Sequence, residues 1–300
     1  MTRAADVLRC GTDGCGAEFP VVGGVPVLID EARSLFRIDE ILSAREAGTA
    51  SYGRAAGGRG LRRLVPSISA NVRARENFRL FSDLLMQAGP APRVLVLGGR
   101  VLGDGMSEMF TNTALIVIES DAFFGPRTDL LLDAHDIPFA DGTFDGVVAQ
   151  AVLEHVPDPH RCLQEIARVL KAGGLVYAEV PFIQQVHEGR YDFTRFTHMG
   201  TLRLFRDFTE IRSGASCGPG MALAWSYEHF LMSFARSRVV RRGLRTFARF
   251  TAFWLKYLDR SLVGRPGAFD AASAYFFLGR KEGVTLGDRE LVALYRGAMK

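Results

Sequence analysis

Val94-Leu95-Val96-Leu97 runs directly into Gly98-Gly99-Arg100-Val101-Leu102-Gly103-Asp104-Gly105, and this stretch decides the fold. An apolar run that ends in glycines is typical of the first strand of an α/β fold, where backbone comes close to a small ligand. A strand that ends in an acid (Ile116–Glu119), an acidic turn (Asp133–Phe139) and a third strand (Phe144–Val148) follow it. Their order predicts a mostly parallel sheet with a ligand site at one edge.

The glycine pattern excludes two common phosphate-binding loops. A Walker loop needs Lys and Ser or Thr after its last glycine, whereas Asp104 and Gly105 follow Gly103. A dinucleotide loop needs glycine where Arg100 stands, and Asp104 would repel phosphate. The sequence therefore favours a nucleoside without phosphates, with Glu119 placed to accept hydrogen bonds from a ribose diol. A purely structural strand, turn and helix is the alternative.

Four segments resemble the class I S-adenosylmethionine-dependent methyltransferases, specifically the group often described as methyltransferase type 11. They are the glycine loop and residues 133–145, 152–156 and 168–174. The resemblance covers about residues 92–218 and returns at 272–281. It implies an α/β fold with a Rossmann-like, doubly wound, mostly parallel sheet. A small N-terminal β module and a helical insertion before the last strand complete the expected architecture.

The resemblance also implies a cofactor and a reaction. The cofactor is S-adenosyl-L-methionine, and the reaction is methyl transfer to an oxygen or nitrogen of an unidentified small-molecule, glycan or lipid acceptor. By this resemblance, the glycines would let the backbone approach the amino-acid half of the cofactor. Glu119 would bind the ribose hydroxyls and Asp133 the adenine amine, and Gln150 would line the methionine side. The residues so assigned to cofactor binding are Gly98, Gly99, Gly103, Gly105, Glu119, Asp133, Ala134 and Gln150. Because Val96 and Arg100 depart from the family pattern, a non-catalytic S-adenosylmethionine-binding protein is an alternative.

A polar and aromatic run at residues 181–197 follows the strand predicted at Leu175–Val180. A loop at a strand's carboxyl end that is dense in such groups indicates a substrate-binding segment. His187 is the candidate general base, since the unperturbed pKa of histidine lies nearest neutrality. Tyr191, Asp192 and Arg195 are the candidates that orient the acceptor. The alternatives are a loop that only satisfies its own polar groups, and methyl transfer by positioning alone. His155 is interpreted as structural.

Two helices carry clear signals. The apolar spacing over 71–88 predicts a helix that ends at Gly89-Pro90. A second helix is predicted over 158–171, with Asp158 as its N-cap, Pro159 in its first turn and Gly173 as its left-handed stop.

The N-terminal residues 1–35 resemble a Trm112-like β module, a kind of domain that often holds zinc with four cysteines. Cys10 and Cys15 have no further ligand pair nearby, so the sequence predicts no metal. Residues 36–91 are predicted to be a helical linker, whose glycine-rich segment at 55–60 is either a lid or an ordinary loop. Residues 92–300 form the predicted methyltransferase domain.

The predicted insertion at 225–265 carries nine Arg or Lys residues and only two acids, Glu228 and Asp259, with aromatic residues between them. Such helices cover a substrate cleft, form an interface or lie on an anionic membrane surface. No nucleic-acid motif accompanies the charge, so specific nucleic-acid binding is not expected. A peripheral membrane adaptor is therefore a further functional alternative, and the sequence leaves the oligomeric state open.

Composition sets the remaining expectations. With 300 residues, 48% of them hydrophobic, the chain can bury a large core, and a net charge of +4 does not by itself indicate nucleic acid. Four scattered cysteines make no disulfide framework, and the N-terminus lacks the apolar segment of a signal peptide. We therefore expect a cytoplasmic protein, with peripheral contact at the inner membrane face as an option.

Overall fold

The computed structural model describes residues 2–4, 6–11, 14–47 and 64–298. The N-terminal module is an antiparallel sheet of four strands: β1 (Thr2–Ala4), β2 (Val7–Arg9), β3 (Glu18–Val22) and β4 (Val25–Pro26). Gly23 and Gly24, both at positive φ, make the two-residue turn of the β3–β4 hairpin. In the described part of the module, neither Cys10 nor Cys15 belongs to a cluster of three potential metal ligands.

The module packs against the edge of the main sheet. The Leu28 amide donates a hydrogen bond to the Leu131 carbonyl oxygen at 2.8 Å, and Val27 pairs with Leu131 in a parallel bridge. Val27, Ile29 and Leu131 are buried in one apolar cluster. The N-terminal strands therefore extend the surface of the α/β domain.

Two helices precede the main sheet, α1 (Ile38–Glu46) and α2 (Ala74–Met86). Helix α2 is shorter at both ends than the sequence predicts, and its face of Phe78, Phe81 and Leu85 is fully buried against the sheet. The glycine-rich segment at 55–60 lies outside the described residues.

The main sheet has seven strands. They are β5 (Arg93–Leu97), β6 (Ile116–Asp121), β7 (Leu130–Leu131), β8 (Phe144–Gln150), β9 (Leu170–Pro181), β10 (Thr209–Cys217) and β11 (Ala274–Arg280). Their spatial order is β10-β11-β9-β8-β5-β6-β7, in which β7, β6, β5, β8 and β9 are parallel and β11 is antiparallel to both of its neighbours. This is the mostly parallel, Rossmann-like sheet expected from the sequence.

The remaining helices surround this sheet. They are α3 (Ser107–Phe110), α4 (Pro159–Val169), α5 (His198–Leu204), α6 (Pro219–Ser233), α7 (Arg238–Ala252), α8 (Leu255–Leu262), α9 (Ala268–Ala271) and α10 (Asp288–Ala293). The Asp158 side chain accepts a hydrogen bond from the Arg161 amide at 3.0 Å, which confirms the predicted N-cap of α4. None of the helices in the described ranges is long and apolar enough to cross a membrane.

The predicted end of α4 is wrong. The helix ends at Val169, and Leu170 already has extended backbone and pairs with Phe144 as the first residue of β9. Gly173 does adopt a left-handed φ of +75°, but it lies within the strand. Because Leu170 is fully buried in the sheet, tertiary pairing overrides the local helix signal here.

The helical insertion starts at Pro219, six residues before the predicted boundary, and comprises α6, α7 and α8. Helix α6 packs through Met221, Ala224 and Trp225 next to β11. The Asp259 carboxylate of α8 accepts hydrogen bonds from the Gly220 and Met221 amides at 2.7 and 2.9 Å. It thereby caps α6 and fixes the two helices together.

Candidate functional site

A cavity of about 1250 Å³ opens at the carboxyl ends of β5, β6, β7 and β8. This is the edge at which parallel α/β sheets bind ligands. Three segments line it: the strand ends, the loop at 184–191, and the helices α6 and α7. Its volume exceeds the range of about 300–1,000 Å³ that is usual for single-ligand pockets, so there is room for two reactants.

Gly98, Asp121, Asp133 and Ala134 form the wall at the strand ends. Gly98 has φ +71°, and a Cβ atom there would lie 2.6 Å from a methyl carbon of Val152. Glycine is therefore required at the point where the β5 backbone turns into the cavity.

Asp133 is held rigidly in this wall. Its carboxylate accepts hydrogen bonds from the His135 amide at 2.9 Å, from His135 Nδ1 at 2.7 Å and from the Ser34 hydroxyl at 2.5 Å. Burial raises the pKa of Asp133, but the hydrogen bonds from His135 and Ser34 outweigh this effect and hold the pKa below its usual value. Asp133 is thus an ionised acceptor, and Ser34 brings the N-terminal segment to the site.

Glu119 does not line the cavity. Strand β6 continues for two residues beyond it, and both Glu119 carboxylate oxygens contact Arg127, at 2.7 and 2.9 Å. Asp121, at the true end of the strand, lines the cavity instead. The sequence assigned the ribose to Glu119. Because Asp121 lines the cavity and Glu119 does not, Asp121 is the candidate for that role in the structure.

Three of the four predicted glycines and Gln150 are also outside the cavity lining. A Cβ atom on Gly99 would lie 2.9 Å from Glu119 Cβ, and one on Gly105 would lie 2.6 Å from the backbone of α2. One on Gly103 would overlap the Gln150 side chain, whose Nε2 donates to the Asp104 carbonyl oxygen at 3.0 Å. These residues let the glycine loop pack closely against its neighbours, and only Gly98 faces the ligand space.

Arg100, which stands where the family has glycine, lies beside Asp121. Its amide donates to the Asp121 carboxylate at 3.4 Å, and its Nε lies 3.9 Å from the same oxygen. Burial raises the pKa of Asp121, and the Arg100 guanidinium opposes this effect. The positive charge of Arg100 thus offsets the negative charge of the buried Asp121 carboxylate.

The cavity lining also includes the predicted acceptor residues His187 and Tyr191 together with His155. The His155 and His187 rings meet edge to face at 5.0 Å, and the Tyr191 ring packs 6.0 Å from that of Phe36. His155 Nδ1 lies 2.7 Å from the Tyr191 carbonyl oxygen, so that nitrogen is the donor. Burial lowers the pKa of His155 to about 4, which keeps the ring neutral.

Glu154 is a functional candidate that the sequence did not reveal. It is 1% exposed, and its Oε1 lies 3.6 Å from His155 Nε2 and 4.0 Å from His187 Nε2. Burial raises the pKa of Glu154 to about 8. The preceding Ala151 has φ +55°, and such backbone strain in a non-glycine residue is a feature of functional sites.

Asp192 and Arg195 contact each other and do not line the cavity. Arg195 donates two hydrogen bonds to the Asp192 carboxylate and others to the Gln184 and Gln185 carbonyl oxygens. Burial raises the pKa of Asp192, but the bonds from Arg195 prevail and lower it to about 2. The pair therefore fixes the shape of the loop that carries His187.

Helices α6 and α7 close the remaining side. Trp225, Glu228, His229, Arg241 and Arg245 are among the cavity residues. The Glu228 carboxylate is 3% exposed and is paired with Arg249 at 2.7 Å and with Arg245 at 3.5 Å, and the Arg245 side chain is about half exposed. The insertion thus forms a wall of the cavity and gives it a cationic rim.

Comparison with known proteins gives matches to parts of this chain. Residues 108–178 match the family model described as a methyltransferase domain. A phosphatidylethanolamine N-methyltransferase of Cereibacter sphaeroides is 47% identical over 45 residues, which are 15% of this chain and 22% of that protein. A demethylmenaquinone methyltransferase of Symbiobacterium thermophilum is 34% identical over 94 residues, which are 30% of this chain and 38% of that protein. The chain thus spans less than half the length of these relatives.

Among solved structures, phosphoethanolamine N-methyltransferase 2 of Haemonchus contortus, in complex with S-adenosyl-L-methionine, matches with a TM-score of 0.41 at 16% identity. The match covers 70% of this chain and 56% of that one.

The segment matched by the family model runs from α3 into β9 and includes Asp121, Asp133 and the strand ends below them. It lies within the parallel sheet that the sequence predicted. This segment matches a methyltransferase domain, and the chain is similar to methyltransferases over this part of its Rossmann-like sheet.

Proposed function

We propose that this protein transfers the methyl group of S-adenosyl-L-methionine to an oxygen or nitrogen of a small-molecule, glycan or lipid acceptor. The observation that carries the proposal is that Asp121, Asp133, His187 and Tyr191 all line one cavity. A methyl donor and an acceptor held together in this cavity would be close to each other, which is the main requirement of a transfer reaction.

The wall at the strand ends fits the cofactor chemically. Gly98 lets the backbone approach a ligand, and the carboxylates of Asp121 and Asp133 accept hydrogen bonds from hydroxyl and amine groups. We assign the ribose hydroxyls to Asp121 and the adenine amine to Asp133, with Ala134 beside the base. When bound, the cofactor supplies an electrophilic sulfonium methyl group.

The acceptor would bind beside the loop at 184–191. In the proposed mechanism His187 removes the acceptor proton, Tyr191 contacts the acceptor, and the Asp192–Arg195 pair holds their loop in place. Desolvation by Phe36, Phe123 and Trp225 around the cavity would exclude water from the reacting atoms.

The proposal is tested by incubating the protein with cofactor labelled in the methyl group and a cell extract, followed by separation into lipid, glycan and small-molecule fractions. Label in a defined product, absent without protein, is the expected result. A protein that binds S-adenosylhomocysteine but transfers no label to any fraction would be the non-catalytic alternative. A protein that binds neither cofactor form would be an adaptor.

Substitutions in the cofactor wall should weaken binding. We expect Asp121→Ala and Asp133→Ala each to weaken S-adenosylhomocysteine binding by about 1–3 kcal/mol, the usual loss for a hydrogen bond to a charged group. Glu119→Gln is the matched control, because Glu119 lies outside the cavity, and this variant should bind S-adenosylhomocysteine about as tightly as the parent. Calorimetric titration measures the affinity of all three variants for S-adenosylhomocysteine. Parent-like affinity in both aspartate variants would show that the cofactor lies elsewhere.

We further propose that helix α7 lies on an anionic lipid surface. Val239, Val240, Phe247, Phe250 and Trp254 are each at least half exposed to solvent. Phe247 and Phe250 lie three positions apart on α7, and Trp254 follows in the turn between α7 and α8. Residues three or four positions apart in a helix share one face. A solvent-facing apolar stripe of this kind is what an interfacial helix buries among lipid headgroups.

The charge on α7 also supports an anionic lipid surface as the partner. The exposed Arg238, Arg241 and Arg242 lie on α7, whereas Glu228 and Asp259, the acids of the insertion, are both buried. The accessible surface of α7 is therefore apolar and cationic, which suits lipids with anionic headgroups. Since Arg241 also lines the cavity, an acceptor held in such a surface could reach the site from it.

Flotation with vesicles that contain phosphatidylglycerol tests this contact. We expect salt-sensitive binding, weakened about tenfold or more in the triple variant Phe247→Ser, Phe250→Ser and Trp254→Ser, because three aromatic rings no longer enter the interface. The double variant Val284→Ser and Val292→Ser, which also removes exposed apolar side chains, serves as the control. Equal loss in both variants, or no flotation of the parent, would reject the membrane contact.

A further inference from the structure

We propose that Glu154, His155 and His187 form a binding site for one divalent transition-metal ion, with Zn²⁺ as the expected species. The inference deepens the proposed function, on which it rests, because the ion would lie at the acceptor end of the cavity. The sequence predicted no stoichiometric zinc in this protein, because Cys10 and Cys15 lack two partners. The proposed site departs from that prediction, with ligands that come from two other segments.

The separations between the candidate ligand atoms suit a single ion. Glu154 Oε1 lies 3.6 Å from His155 Nε2 and 4.0 Å from His187 Nε2, and one ligand atom from each residue falls within 4.8 Å of the others. Neighbouring ligand atoms of a tetrahedral zinc ion lie about 3.3–3.6 Å apart, since each bond is about 2.0–2.2 Å long. Binding of an ion would therefore draw the three ligand atoms closer together.

Both histidines present the same nitrogen to the carboxylate. His155 Nδ1 donates to the Tyr191 carbonyl oxygen at 2.7 Å. His187 Nδ1 faces the Gln185 carbonyl oxygen at 3.3 Å and the Asp192 carboxylate at 3.5 Å. Because these partners only accept hydrogen bonds, they hold the proton on Nδ1 and leave the lone pair on Nε2. Metal-binding histidines are typically oriented in this way.

Glu154 supplies an independent observation. Its side chain is 1% exposed, and Oε2 has no hydrogen-bond partner in the described part of the chain. Burial of a carboxylate oxygen without a partner is costly. A cation bound beside it would offset that cost, so an otherwise unexplained buried acid has a role.

The donor set indicates the class of ion. Two imidazole nitrogens and one carboxylate oxygen suit zinc and neighbouring transition metals, whereas magnesium prefers oxygen ligands alone. Three protein ligands leave a coordination position open, which is a feature of catalytic metal sites. Here that position faces the cavity and would receive an oxygen or nitrogen of the acceptor. Because the ion would occupy His187 Nε2, this ligand role and the base role proposed above are alternatives for His187.

The test uses the full chain, stripped with a chelator and titrated with Zn²⁺ by calorimetry and with Co²⁺ by visible absorption. We expect one ion per chain, with binding weakened at least about tenfold by Glu154→Gln and by His187→Ala, since even indirect partners of a metal contribute that much. His160→Ala removes an exposed histidine of α4, and the Cys10→Ser and Cys15→Ser double variant removes the other metal-binding candidates. Both controls should bind like the parent.

Absence of saturable binding, or binding that survives both Glu154→Gln and His187→Ala, would overturn the site. Loss of binding in the cysteine variant would assign the ion to the N-terminal module and would overturn it equally. Titration of the metal-free chain and of each variant with S-adenosylhomocysteine shows that the variants are folded. Failure of that titration in the parent would reject the proposed function, whereas a metal-free parent that binds the cofactor and transfers methyl groups undiminished would reject the metal's role alone.

Discussion

Replacement of His187 by alanine should lower turnover by roughly 10²–10⁴-fold, the usual contribution of a positioned general base, while the affinity for S-adenosylmethionine stays within about threefold of the parent. The reason is the geometry of the cavity. His187 lies in the loop at 184–191, whereas Asp121 and Asp133 lie at the strand ends, so its loss removes a group assigned to the acceptor and leaves the residues assigned to the cofactor intact. Initial rates with the identified acceptor and calorimetry with the cofactor measure the two quantities.

His160→Ala is the matched control, since that histidine is exposed on α4. Parent-like turnover in His187→Ala would remove His187 from the mechanism and favour transfer by positioning alone. A fall in cofactor affinity that parallels the fall in turnover would instead indicate collapse of the cavity. The titration with Zn²⁺ separates the role of His187 as a general base from its role as a metal ligand. Only if His187 is a ligand does its replacement by alanine weaken Zn²⁺ binding.

Replacement of Arg195 by methionine should lower the free energy of unfolding by about 3 kcal/mol, the lower end of the range for breaking a buried ion pair. Asp192 is 1% exposed at its side chain, so removal of its partner leaves a buried charge uncompensated. The hydrogen bonds of Arg195 to two loop carbonyl groups are lost at the same time. Urea unfolding measures the change, and the substituted loop should also bind the acceptor less well.

The control for this variant is Arg203→Met, which removes an exposed arginine of α5. The double variant Arg195→Met and Asp192→Asn should recover part of the lost stability, because it also removes the buried charge. If Arg195→Met costs no more than the control, the pair does not hold the loop.

The sequence predicted the fold because the signals for it are local. Alternating apolar strands and amphipathic helices, with Asp158 as a helix cap, are properties of short segments that survive in the folded protein. Asp133 was assigned to the cofactor by family resemblance, and it is among the residues that line the cavity. The register of the strands was not predictable, because it depends on partners that are distant in the chain.

Strand β6 illustrates this limit. Ser120 and Asp121 are weak strand formers, so the sequence places the strand's end at Glu119. In the folded chain Ser120 pairs with Leu97, and Asp121 pairs with Leu131, which extends the strand by two residues. The carboxylate that faces the cavity is therefore Asp121, and Glu119 contacts Arg127 instead.

Only the tertiary structure places Glu154 and His155 next to His187 in the part of the cavity assigned to the acceptor. The sequence by itself determined that a polar loop with His187 follows a strand, and that the chain has a class I methyltransferase architecture. It did not bring His187 to Glu154 and His155, which precede it by more than thirty positions and were interpreted as part of a helix start. Their meeting depends on where β8 and β9 end side by side and on the Asp192–Arg195 pair that folds the loop back. Contacts of this kind arise from packing between segments, for which a single sequence carries no local signal.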